Sequence, residues 1–389
     1  MRSSNLNLKE LNIACIYPAS LSGWRGTTAG LKNMLHIFKG LGLKTDLISY
    51  HHYSNKFRIE HENINPLLNS TTIHLPSYLG LLKVFSIFLG FIYAWNPIRK
   101  CDIIFAHVDV LSGIPAVILG RIFGKSVILH YIDEEQNPIL HSINKYILKK
   151  VDIVFAISYY LIDKAKRYGC ENIVYLPAFV DTNLFKVDMN ARKKIRDDFK
   201  IEDNDIVIGY AGTFSYFEGV SNLLRAFANL SKRYSNTKMI VMGKMGKNYE
   251  DIPKYVRDLN LKDKVTLLPP QPHEDVPRFL SACDITCCSK IDCEINRAAH
   301  PIKVVEYLSM GLPTVCSSVG GITYTIKDGV DGFLVKPGDV KDLEEKLEWI
   351  ILNPERSKAI GENGRKKVIG KYSFEAIENT IKESIKEII

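Results

Sequence analysis

Nowhere in its 389 residues does the chain carry a low-complexity tract or an internal repeat, which excludes solenoids and disordered arrays. Cysteine is sparse: eight residues in this length are too few for a disulfide-stapled secreted scaffold, so a reducing, cytoplasmic setting is expected. Cys283, Cys287, Cys288 and Cys293 lie close together but lack paired C-x2-C spacing; they read as apolar filling around a buried strand rather than a metal site. No metal motif is visible and no bound cofactor is expected. No basic cluster with interleaved aromatics is present, so nucleic acid is not an expected partner. The first twelve residues are polar, which excludes a hydrophobic leader at that point. Gly23, Gly26 and Gly30 do not form G-x-G-x-x-G, so a dinucleotide fingerprint is missing as well.

What is there is an ordinary globular composition, 46% hydrophobic and 24% charged, in a chain long enough for two cores. The net charge of +8 is unevenly placed. Residues 1–180 hold 19 Lys/Arg against 12 Asp/Glu, so the first half carries almost the whole surplus and an anionic partner is expected there. Residues 78–95 form the most hydrophobic run. A membrane span is rejected, because strands at 45–49 and 102–106 should join one sheet and a single span would part them. Gly80, Lys83, Ser86 and Gly90 make a narrow small or polar stripe, and apolar residues cover most of the remaining circumference. The run therefore predicts shallow insertion at an anionic bilayer surface, aided by Arg99 and Lys100, with burial in the domain or a dimer contact as the alternative.

The stretch 300–313 organises the rest. It reads as a short helix with Pro301 in its first turn and Gly311 and Pro313 as its stop, set between buried strands at 284–288 and 314–316. Lys303 and Glu306 are three apart and share a face. A cation beside unpaired helix N–H groups suits a phosphate, and a carboxylate one turn later suits a ribose diol. A solvated ion pair is the plain alternative.

Pro301, Lys303, Glu306, Tyr307, Gly311 and Pro313 resemble the donor-site helix of the retaining GT-B glycosyltransferases of the E-x7-E group (family 4-like, group 1). The resemblance implies an α/β protein with two Rossmann-like α/β/α domains facing a cleft and a C-terminal helix crossing back to the first. Residues 1–185 with 372–389 would form the acceptor-binding domain and 186–371 the nucleotide-sugar domain. Glu306 would hold the ribose, and Lys303 the phosphates. The first Glu of the pair is replaced by Ala298.

The resemblance extends over nearly the whole chain. Gly23, Gly26 and Thr27 fall where the group has a loop for acceptor and donor phosphates, before a helix expected over about 29–41. His107, His130, Asp133 and Glu134 sit at or just after strand ends, where ligands of parallel sheets bind; His130 and Asp133 are the candidates for contact with the transferred sugar or acceptor. Charged residues 186–203 read as an interdomain link. Gly212, Thr213 and Ser215 fall in the loop that lies under the diphosphate in the group, but Thr213 and Glu218 replace its usual Arg and Lys. Lys244, closing another strand, is a further phosphate candidate. Pro270 and Val305 complete the expected donor site.

The implied reaction moves a sugar from a nucleoside diphosphate sugar to a hydroxyl with retained configuration. A lipid-linked or saccharide acceptor, made for surface polysaccharide at the cytoplasmic face of the membrane, is expected. A sugar-nucleotide epimerase on the same fold, or a non-catalytic binding protein, are the alternatives.

Overall fold

The computed structural model describes residues 8–18, 21, 26–54, 56–76, 83–135, 137–244 and 250–389. The chain divides into two compact units, 1–177 with 377–389, and 178–376. Residues 178–185 belong to the second unit, not to the first as the sequence reading had it. The reason is local bonding: Ala178 N donates to His300 Nδ1 (3.2 Å), and the Phe185 carbonyl accepts from Ser309 Oγ (2.7 Å) and Arg365 Nη1 (3.0 Å).

The first unit is built on β1 (Asn12–Tyr17), β2 (Lys44–Ser54), β3 (Arg58–Asn65), β4 (Leu68–Pro76), β5 (Ile103–His107), β6 (Ser126–Tyr131), β7 (Ile153–Ala156) and β8 (Ile173–Tyr175), in the order β3-β4-β2-β1-β5-β6-β7-β8. All neighbours are parallel except β3 and β4, an antiparallel hairpin appended to one side. The central strands are continuous apolar runs, as burial of both faces by helices demands; Ile13 pairs with Thr45 on one side and Ile103 on the other. Ile104, Phe105, Leu129 and Phe155 are all but inaccessible. The order of strands reverses between β1 and β5, which puts a crevice at their C-terminal ends.

The first helix spans Gly26–Gly40, starting earlier than expected; Thr27 lies in its first turn, while Gly23 is outside the described residues. The hydrophobic run becomes the helix Lys83–Lys100. Residues 77–82 and the side chains of 83–86 are outside the description, Gly80 and most of the anticipated stripe with them. Gly90 shows which side of the helix meets the sheet. A Cβ there would lie 2.4 Å from Tyr50 Oη, so the small residue faces the sheet, not solvent. Phe88, Ile92 and Trp95 point outward instead.

The second unit repeats the plan with β9 (Ile206–Thr213), β10 (Thr237–Lys244), β11 (Val265–Leu268), β12 (Ile285–Cys288), β13 (Thr314–Ser317) and β14 (Phe333–Val335), all parallel, ordered β11-β10-β9-β12-β13-β14. Its reversal lies between β9 and β12. The helix Val220–Arg233 buries Leu223, Leu224, Phe227 and Leu230 at three- and four-residue spacing against this sheet.

Residues 186–203 are not a plain link. They hold the helix Met189–Asp198, capped by Asp188, whose carboxylate accepts from Asn190 N and Ala191 N. Arg192 and Arg196, one turn apart, both reach Asp284 at the start of β12 (2.6 and 2.7 Å), and Asp284 also accepts from Val207 N. Arg196 is buried. Arg196→Met should therefore lower the unfolding free energy by about 3 kcal/mol, since it removes a buried guanidinium, takes one partner from the partly exposed Asp284 carboxylate and leaves three carbonyls short of a donor. Urea unfolding of the two proteins checks this; a loss within about 0.5 kcal/mol would show the clamp to be dispensable.

Candidate functional site

The helix Ile302–Ser309 stands beside the switch point of the second unit. Pro301 is extended and precedes the helix as its cap, one residue outside the position expected from sequence. A separate short helix, Glu294–Ala298, comes before it. Gly311, with φ of +75°, ends the segment in the left-handed region. Val304, Val305, Tyr307 and Leu308 are buried. Val305 is fully buried on this helix. Tyr307 ties the helix to β9: its hydroxyl donates to the Ala211 carbonyl (2.9 Å) and accepts from Ala211 N (2.7 Å).

Lys303 crosses to the end of β9. Its ammonium lies 2.9 Å from Glu218 Oε2 and 3.1 Å from Tyr210 Oη, with its charge 4.7 Å from the Tyr210 ring centre. A Cβ on Gly212 would fall 2.2 Å from this nitrogen, so the lysine packs directly on the strand's backbone. Glu218 is the hub. Its second oxygen is 2.9 Å from Lys290 Nζ, which also reaches Asn296 Oδ1 at 3.0 Å. Burial alone would raise the Glu218 pKa; the two ammonium groups overcome it and hold the carboxyl at about 2. Burial likewise works against the charged form of Lys303, but Glu218 more than offsets it and the pKa is raised.

The loop reaching Glu218 turns into the next helix through Gly219, which has φ of +66° and whose absent Cβ would sit 2.1 Å from the Ser289 carbonyl oxygen. Thr213 and Ser215 are partly exposed along this loop. The first turn of the helix Val220–Arg233 already has a carboxylate: Ser221 donates to Glu250 through Oγ (2.6 Å) and N (3.4 Å). Lys244 is exposed at the end of β10, in register with Thr213. Pro270 is half-buried just after β11. Glu306, itself buried, accepts from His273 Nε2 at 2.6 Å, and the His273 ring rests 5.2 Å from that of Phe185.

The structure therefore brings Lys303, Gly212, Thr213 and Ser215 to one strand end. It adds Glu218, Lys290, Asn296, His273 and Glu250, which the spacing did not reveal. Glu218 and Lys290 are 72 residues apart, beyond any local pattern. The one available signal was an acidic residue at a position where the resemblance calls for lysine, since a buried acid must find a cation.

In the first unit, β1, β5 and β6 end in Tyr17, His107 and His130-Tyr131. Tyr17 Oη and His130 Nδ1 share a hydrogen bond of 3.2 Å. Burial, followed by the neighbouring His107, pushes His130 down to about 3, so it is a neutral imidazole at physiological pH. Burial also opposes protonation of His107, but Asp109, accepting from Nδ1 at 3.0 Å, and Asp133 raise its pKa overall. His107 Nε2 lies 3.8 Å from Asp133 Oδ1 and, among the described residues, has no hydrogen-bond partner. Of the two imidazoles, His107 is the one poised to carry charge. Asp133 is exposed beside it. Glu134 turns away, accepting from Tyr131 Oη and pairing with His141 Nδ1 at 2.7 Å and Lys164 Nζ at 3.4 Å. Among the described residues, no group of three His, Cys, Asp or Glu side chains could hold a metal ion.

Two parallel α/β/α units of these strand orders make the chain a GT-B protein. Sucrose-phosphate synthase from Thermosynechococcus elongatus has the same fold, with a TM-score of 0.81 at 19% identity over 97% of this chain and 99% of that one. HepE from Anabaena, solved with UDP-glucose, gives 0.76 at 16% identity, over 97% and 100%. Residues 191–367, most of the second unit, match the family of glycosyl transferases group 1, which supports a transferase as the class of enzyme. The α-D-kanosaminyltransferase of Streptomyces kanamyceticus is 26% identical over 217 residues, 55% of this chain and 54% of that protein. The chain thus spans about half the length of this curated relative.

Proposed function

We propose that the chain transfers a sugar from a nucleoside diphosphate sugar to a hydroxyl acceptor, with retention at the anomeric carbon. The observation that carries this reading is Lys303 and Glu306 on one helix at the switch point of the second unit, the first beside Gly212 and the second held by His273. It agrees with the UDP-glucose bound to HepE. In this reading Glu306 accepts from the ribose hydroxyls, and Lys303 and Lys244 meet the charge of the diphosphate without calling on a metal. The bond from the anomeric carbon to the diphosphate oxygen breaks. The acceptor oxygen bonds to the same face, and its proton passes to the departing diphosphate. Gly26 and Thr27 would flank the acceptor, and His107, with His130 and Asp133 beside it, would bind the sugar.

The test is thermal stabilisation by a panel of nucleotides and nucleotide sugars, since only a ligand of the folded state raises Tm. Glu306→Ala should weaken binding of the selected nucleotide sugar by about 2 kcal/mol while leaving the fold intact. A folded variant with unchanged affinity would remove Glu306 from the donor site.

We further propose that the acceptor is lipid-linked and that the first unit rests on an anionic membrane. The helix Lys83–Lys100 exposes Phe88 (58%), Ile92 and Trp95, and the helix Gly113–Phe123 exposes Ile118 and Ile122 (58%). Trp95 and Phe123 meet edge-on at 5.0 Å, making one continuous apolar face, with Arg99, Lys100 and Arg121 exposed on the same helices. Among the described residues, no helix is long and apolar enough to cross a membrane. Surface insertion of such a face is driven by apolar area and anionic attraction together. Replacing Phe88 and Ile92 by Ser should lower binding to phosphatidylserine vesicles by about thirtyfold, because about 2 kcal/mol of apolar contact is lost, and should leave nucleotide binding unchanged. Equal sedimentation with vesicles would move the contact elsewhere.

A further inference from the structure

Three groups of the second unit form a buried chain, Lys303–Glu218–Lys290, closed by Asn296. Every member's orientation is fixed by another. Asn296 Nδ2 donates to the carbonyls of Phe217 (2.7 Å) and Ile291 (2.8 Å), so its oxygen must face Lys290. Lys290 spends its donors on Glu218 and Asn296 and sets its remaining side over the Phe217 ring, 5.4 Å from the centre. Its side chain is 5% exposed, against 13% for Lys303. Tyr210 Oη donates to the Thr213 carbonyl (2.7 Å), which turns a lone pair toward Lys303. Lys303 therefore keeps one N–H beyond Glu218 and Tyr210, at the end of the strand where an anion would lie.

We infer that Glu218 and Lys290 are positioning residues for Lys303: Glu218 fixes the Lys303 ammonium at the strand end, and Lys290 cancels the Glu218 charge so that the site presents one net positive charge to a diphosphate. The inference rests on the donor reading above. Without Lys290, Glu218 would neutralise Lys303 in a low-dielectric site, where an unscreened opposite charge matters most. Without Glu218, two ammonium groups would face each other, and the charged form of Lys303 would lose its main support. Among the described residues, the other titratable groups around Lys303 are the phenols of Tyr210 and Tyr307 and the thiols of Cys288 and Cys316. None of them supplies a second carboxylate.

The experiment is calorimetric titration of the full chain with UDP and GDP across about pH 7 to about pH 9, where an unperturbed lysine stays charged but a destabilised one does not. Wild type should bind with an affinity flat in pH. Lys290→Met should weaken binding by about tenfold, from loss of the net charge. The double variant Glu218→Gln/Lys290→Met leaves Lys303 as the single charge and should return to within about threefold of wild type. Glu218→Gln alone should bind progressively more weakly as pH rises. That variant preserves volume and keeps the test decisive if Lys290→Met does not fold. A purely structural role would lower Tm in these variants and leave the affinities and the pH profile as in wild type, which overturns the inference, as does a double variant no better than Lys290→Met. Failure of wild type to bind either nucleotide removes the donor reading and this inference together; binding with unmoved variants removes the inference alone.

Discussion

Lys303→Met is expected to lower kcat/KM by about 10²- to 10³-fold with the nucleotide sugar that the binding panel selects, while Tm moves little. Methionine keeps the side chain out to Cε, the atom next nearest Gly212, and removes only the ammonium. Glu218 retains Lys290, so no buried carboxylate is orphaned. What disappears is a cation fixed beforehand at the strand end, where charge builds on the departing diphosphate. Such a group contributes most when it needs no rearrangement during the reaction, and the bonds to Glu218 and Tyr210 provide that. Initial rates on purified protein of matched circular dichroism decide the matter. Loss of less than about threefold would place the diphosphate elsewhere, with Lys244 as the next candidate.

Gly219→Ala is expected to destabilise the chain by about 4 kcal/mol and to abolish nucleotide binding. Two costs coincide here. An L-residue at φ of +66° is strained, by about 1 kcal/mol or more. A methyl group 2.1 Å from the Ser289 carbonyl oxygen also cannot be accommodated by rotating a side chain, since the obstacle is backbone. The loop must withdraw, breaking the bond from Ser289 Oγ to the Gly219 carbonyl (2.9 Å) and carrying Glu218 away from both lysines. Denaturant unfolding with UDP titration checks both halves. A variant within about 1 kcal/mol of wild type would show that loop and strand do not meet as closely as described.

Much of the molecule could be read before it was seen. The helix carrying Lys303 and Glu306 was legible because proline, glycine and apolar spacing mark it locally. The doubly wound units were legible because buried parallel strands are continuous apolar runs. What escaped were relations across the sequence. Nothing near Glu218 announces Lys290, and nothing near Glu306 announces His273. Residues 186–203 look like a solvated link because their charge is visible and its partner, Asp284, is not. His130 and His107 are alike in sequence, and only their different neighbours make one neutral and the other chargeable.

The borders of the two sheets carry a consequence of their own. An open sheet ends in unpaired N–H and C=O groups that can recruit a strand from another molecule. In the first unit one border is β3, which places Arg58, Glu60 and Glu62 along the exposed strand, with Arg58 and Glu60 paired at 2.9 Å. The opposite border, β8, has three residues. In the second unit the borders are β11 and β14, of four and three residues. Every border is thus either charged or too short to template a ladder. Among the described residues, neither sheet offers a ready route to growth by strand addition.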